Sequence, residues 1–98
     1  MIIVTGSLLA RPEAFDEVLR LSQEHVLRSR SEAGCVAHAV LRDSENPLRL
    51  VFLEEWTDQA SLMAHFAVPG SRAFAKSVAT LVAAPPTLNI YDATPIRL

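Results

Sequence analysis

A short run on the third apolar stretch of the chain, Glu54-Glu55-Trp56-Thr57-Asp58, carries the densest set of reactive side chains, and His65 follows nine residues after the tryptophan. Alternation along a strand places Glu54 and Trp56 on one face. A strand-turn-helix connection can return His65 to that face. A histidine with an ordinary pKa of about 6.5 can move a proton near neutrality. The Trp56 indole N–H is a hydrogen-bond donor. Phe52, Phe66 and Phe74 can supply apolar walls, and His38 and Tyr91 are further candidates to face a pocket or a partner chain. Together they can build a polar cluster beside an apolar pocket, with Trp56 and His65 as catalytic candidates and Glu54 lining the pocket.

Each of these residues also has a structural reading. A tryptophan at a strand end can be a core or interface aromatic. His65 can be a structural hydrogen-bond link. Glu54, in an otherwise apolar strand, must be paired, and anchoring is its simplest role. The Phe74, Val78, Leu81 stripe has helical spacing and suits core packing.

The elements that must position these groups follow from periodicity. Ile2 to Ala10 is continuously aliphatic and β-branched, as expected for a first strand buried on both faces. Pro12, the acidic Glu13, Asp16 and Glu17, the basic Arg28 and Arg30, and Gly34 bracket a long helix. Phe15, Val18, Leu19, Ser22 and Val26 form its apolar stripe. Cys35 to Arg42 and Leu48 to Trp56 make a hairpin across Asp43-Ser44-Glu45-Asn46-Pro47. Asp58 caps a short helix through Phe66. Pro69 and Gly70 break it before a second segment carrying Phe74, Val78 and Leu81. Pro85-Pro86 ends that segment, and Thr87 to Thr94 alternates as a last strand.

The order β-α-β-β-α-β predicts an α+β ferredoxin-like fold with a four-stranded antiparallel sheet. One domain is expected over residues 1–98, since 98 residues leave no room for a second. Two helices cover one sheet face, yet the third strand offers Leu50 and Phe52 to one side and Val51 and Leu53 to the other. A two-fold homodimer packed sheet to sheet is therefore expected.

Other functions find no support. Nine basic and eleven acidic residues, a formal charge of −2, are interspersed without a basic stripe, so nucleic acid is not an expected partner. No apolar run approaches the roughly 20 residues that cross a bilayer, and the first residues lack a basic region and cleavage site, so a cytoplasmic protein without a membrane partner is expected. The single Cys35 makes neither an internal disulfide nor a redox pair, and a small buried hydrophobe is its simplest role. Nucleotide, serine-hydrolase and zinc-hydrolase motifs are missing. His25, His38 and His65 sit on separate elements without helical ligand spacing, so the sequence suggests no metal.

Three stretches, Glu32-Ala33-Gly34-Cys35, Phe52-Leu53-Glu54-Glu55-Trp56-Thr57-Asp58 and Ala64-His65-Phe66, with Phe74 as a trailing aromatic, resemble the antibiotic biosynthesis monooxygenase family. The resemblance implies a dimeric α/β barrel with a pocket between sheet and helices. It also implies a cofactor-independent monooxygenase using O2 on a small aromatic, polyketide-like or quinol-type substrate. A non-oxidative isomerase or binding protein is the alternative on this fold. Haem-degrading relatives carry an asparagine on the first strand, where this chain offers only Thr5 and Ser7 as polar side chains, which speaks against haem degradation.

Overall fold

The computed structural model describes residues 1–98. Strand β1 (Ile2–Leu9) is followed by a 3-10 turn (Pro12–Ala14), helix α1 (Phe15–Ser29), strands β2 (Cys35–Arg42) and β3 (Arg49–Trp56), helices α2 (Gln59–Ala67) and α3 (Pro69–Ala79), and strand β4 (Thr87–Asp92). The sheet order is β2-β3-β1-β4, antiparallel at every pair, which is the α+β ferredoxin-like arrangement that the element order implies.

Local chemistry accounts for the boundaries. The Asp58 side chain accepts from the Ser61 backbone N–H at 2.8 Å and caps α2. The break between α2 and α3 falls at Val68, which adopts extended backbone ahead of Pro69; the proline then fills the first position of α3, where its missing N–H costs nothing. In the β2–β3 turn, Asp43 and Asn46 side chains accept from the Glu45 and Leu48 N–H groups.

Gly34 has φ 82°, and a Cβ there would collide with Ser61 Oγ and stand 2.9 Å from Thr57 Oγ1. The left-handed backbone and this contact both select glycine. Gly34→Ala should cost about 2–4 kcal/mol, read as a lowered denaturant midpoint with unchanged slope.

The helices cover one sheet face only. On β1, Ile2, Val4 and Leu8 are buried and Ile3, Thr5, Ser7 and Leu9 are partly exposed. The expectation that β1 is buried on both faces is thus corrected: the second face is uncovered within one chain. Leu50 and Phe52 point into the core, whereas Leu53 is 44 % exposed on the open face. On α1, Phe15, Val18, Ser22 and Val26 are buried as the stripe predicts, and His25 and Ser29 join them.

The core falls into two parts. Leu8, Phe15, Val18, Leu50, Phe52 and Val78 belong to the larger cluster. Ile2, Val4, Trp56 and Leu62 form the smaller. Along β3 the inward residue between Phe52 and Trp56 is Glu54, and along β1 the one between Val4 and Leu8 is Gly6. A carboxylate and a missing side chain at the centre of a sheet face leave room for a polar cavity.

Candidate functional site

That cavity has a volume of about 310 Å³, opens to solvent on one side and is lined by residues from the sheet and all three helices. Gly6, Phe52 and Glu54 form the sheet side, His25 comes from α1, His65 and Phe66 from α2, and Phe74 and Val78 from α3. The lining is predominantly apolar, with a few convergent polar groups, which is the usual composition of a small-molecule site.

Glu54 is the centre of the polar cluster. Its Oε1 accepts from Trp56 Nε1 at 2.9 Å and lies 3.9 Å from His65 Nε2; its Oε2 lies 3.6 Å from His38 Nε2. Burial pushes the Glu54 carboxyl above its ordinary range, against the pull of the Trp56 N–H. His65, 2 % exposed, holds Glu32 Oε1 at 2.7 Å through Nδ1. Its Nε2 is left facing Glu54.

The other two histidines complete the cluster. His25 stacks on Phe74, with centroids 4.2 Å apart and planes 9° from parallel, and its Nδ1 accepts from Arg28. Arginine is always a donor, so neutral His25 carries its proton on Nε2. Burial, followed by His38, His65 and Arg28, brings His25 down to about 3. Burial, followed by His65 and Arg30, brings His38 to about 4. Both rings are neutral at pH 7.

These two shifts have a consequence for stability. The unfolded chain takes up protons on both histidines as pH falls through 6.5, while the folded chain does not until about 4 for His38 and about 3 for His25. The stabilisation is therefore fully present above 6.5 and is lost as pH falls through that window, at about 1.4 kcal/mol per histidine and pH unit. Urea midpoints in chelator should fall between about pH 7 and about pH 5, and less steeply in His25→Phe.

Five of the residues expected from sequence meet at the cavity: Phe52, Glu54, His65, Phe66 and Phe74. Trp56 does not line it. The indole is fully buried and its N–H is engaged by Glu54, so it positions the carboxylate instead of reaching a bound oxygen. His38, expected to be half-buried, is 2 % exposed and sits behind Glu54, because β2–β3 pairing sets the two residues opposite each other. Tyr91 pairs with Ile3 and so lies on the open face, 53 % exposed, away from the cavity.

His25 and Glu32 were not singled out by sequence. Val18, Ser22, His25 and Ser29 follow at i, i+4, i+7 and i+11, so helical spacing did contain a signal for His25. Nor does the scattering of the three histidines survive folding: their ligand nitrogens lie within 4.8 Å of one another. Cys35 is half-buried beside the Trp56 cluster, and burial pushes its thiol up, away from reactivity.

The fold and this pocket define a small α+β protein with an acid–base cluster at the wall of an apolar cavity. The chain belongs to the antibiotic biosynthesis monooxygenase family, whose profile matches residues 1–77. It is 33% identical to an antibiotic biosynthesis monooxygenase of known crystal structure, covering 97% of this chain and 100% of that one with a TM-score of 0.90. A conserved protein from Methanosarcina mazei Go1 matches at 27% identity over 95% and 92% of the two chains, TM-score 0.90. The uncharacterized protein sll1783 of Synechocystis sp. is 32% identical over 90 residues; the match takes in 92% of this chain and 61% of that protein's length. These likenesses support a function of the general type that the family name describes. No helix is long and apolar enough to cross a membrane.

Proposed function

We propose that the protein is a cofactor-independent monooxygenase that oxidises a small aromatic, polyketide-like or quinol-type metabolite with O2. The supporting observation is the pairing of an apolar cavity with a histidine whose outer nitrogen is anchored and whose inner nitrogen is free. Glu32 accepts from His65 Nδ1–H, so the lone pair resides on Nε2 at the cavity wall. This is the base-plus-orienter arrangement that proton abstraction needs.

In the proposed reaction His65 Nε2 removes a phenolic or benzylic proton. The resulting carbanion or phenolate is electron-rich and reduces O2. One oxygen atom enters the product as a carbonyl and the other leaves as water, so a methylene becomes a ketone for each O2 consumed. The Nε2–H of His25 is a donor at the cavity wall for the developing oxyanion, and Phe52, Phe66 and Phe74 exclude water. Glu54, held by Trp56, stands 3.9 Å from His65 Nε2, close enough for its carboxylate to favour the imidazolium that abstraction creates.

The same pair of proton carriers also suits an isomerase that moves a proton between carbons. Labelled oxygen separates the two. With ¹⁸O2 an anthrone should give a product carrying one heavy oxygen atom per turnover; turnover that proceeds without oxygen and without label would establish the isomerase instead.

A further inference from the structure

His38 is an anomaly for a purely acid–base cluster. Its side chain is fully enclosed, yet neither Nδ1 nor Nε2 has a hydrogen-bond partner. An unsatisfied buried polar atom ordinarily costs about 1–3 kcal/mol, and here both nitrogens of one ring are left bare. Glu54 Oε2 is 3.6 Å from Nε2, too far for a hydrogen bond. On the other side His65 Nε2 is 3.9 Å from Glu54 Oε1.

Such spacings suit a shared cation. With metal–ligand distances of about 2.0–2.2 Å, neighbouring ligand atoms in a tetrahedral site stand about 3.4 Å apart. Glu54 Oε2 stands 3.6 Å from His38 Nε2 and Oε1 stands 3.9 Å from His65 Nε2, both near that edge, so the carboxylate lies between the two imidazoles with one oxygen toward each. We propose that His38 Nε2, His65 Nε2 and the Glu54 carboxylate form a site for one divalent transition-metal ion of the zinc, iron(II), cobalt or nickel kind.

The surrounding groups are arranged as outer partners of such a site. Glu32 accepts from His65 Nδ1–H, fixing the tautomer that frees Nε2. The Trp56 N–H orients the Glu54 carboxylate. Two histidines and one carboxylate make a donor set for borderline divalent ions, and Glu54 and His65 line the cavity, which provides an entry path and open coordination positions. His25, with Nδ1 taken by Arg28, stands beside these positions as a donor and not as a ligand. Proximity of all three histidine nitrogens within 4.8 Å keeps the cluster small enough for one ion.

This site goes beyond the oxygenation reading, because metal binding is measured without substrate. It also bears on it, since an ion on His65 Nε2 occupies the lone pair that proton abstraction uses. Bound metal should therefore suppress the cofactor-free reaction.

The test uses tag-free protein stripped with chelator and titrated with Co(II) alone, followed by visible ligand-field absorption. One equivalent should saturate the signal, and Zn(II) should displace it. His38→Phe and Glu54→Gln should each weaken binding by at least about tenfold, whereas Cys35→Ser should leave it unchanged. Wild-type melting temperature should rise with Zn(II), which remains informative if a variant folds poorly. Absence of a saturable Co(II) signal, a stoichiometry far from one, or undiminished binding in a folded His38→Phe would overturn the site. Saturable Co(II) binding by a protein that, once stripped of metal, consumes no oxygen with any substrate would count against the oxygenase reading alone.

Discussion

His65→Gln should lower kcat for oxygen uptake by about a hundred- to ten-thousandfold while leaving the far-ultraviolet spectrum unchanged, the range expected when a positioned general base is removed. Glutamine retains much of the volume of the imidazole and can still bond Glu32, so the core at α2 is preserved, but no basic nitrogen then faces the cavity. Glu32→Gln should give a smaller loss, because the tautomer is no longer enforced while the lone pair can still reach Nε2. Trp56→Phe should act through Glu54: the carboxylate loses its one close donor, and the pH profile of kcat should shift while KM changes little. Equal activity in wild type and folded His65→Gln would remove His65 from the chemistry.

Leu53→Asp is expected to change the state of assembly more than the fold. The uncovered sheet face presents Leu41 at 52%, Leu53 at 44% and Tyr91 at 53% exposure, with Ile3, Leu9 and Val51 partly exposed among them. Thr5, Ser7, Arg49 and Glu55 share this face with them, and a two-fold partner that brings the same face to it would bury the apolar residues and pair the polar ones. Wild-type protein should sediment at twice the 10.7 kDa chain mass. Leu53→Asp enters such an interface twice, once from each copy, and should raise the dimer dissociation constant by about a hundredfold or more. A wild-type monomer at all concentrations would contradict the expected sheet-to-sheet homodimer.

The parts of this architecture that depend on local chemistry were legible in the sequence. Asp58 as a cap, Pro69 as a helix start, the Asp43–Pro47 turn and the period-2 alternation of β3 each act within a few residues, and together they yield the element order. Faces were harder. Alternation places Leu88 and Ile90 opposite Tyr91, but only the pairing of Tyr91 with Ile3 assigns Tyr91 to the open face, and Leu88 and Ile90 stay exposed on the other. β1 looked buried on both sides because Ile3 and Leu9 are as apolar as Ile2 and Leu8; composition cannot distinguish a face covered within the chain from one awaiting another surface.

The site was legible where it lies on one continuous motif and illegible where it is assembled from distant elements. Glu54, Trp56 and His65 are close in sequence. Glu32 reaches His65 across 33 residues, and His38 meets Glu54 only through the hairpin register, which includes a bulge between Cys35 and Ala37. His25 lay on the buried stripe of α1, but a histidine there has no sequence mark that separates a ring stacked on Phe74 from one exposed to water.

The most direct test of the oxygenase reading is oxygen consumption by chelator-treated protein against anthrones, hydroquinones and catechols, with folded His65→Gln measured in parallel. Substrate-dependent uptake that needs no added metal and collapses in the variant is expected; uptake that appears only when a metal is restored, or none with any substrate, would contradict cofactor-independent oxygenation.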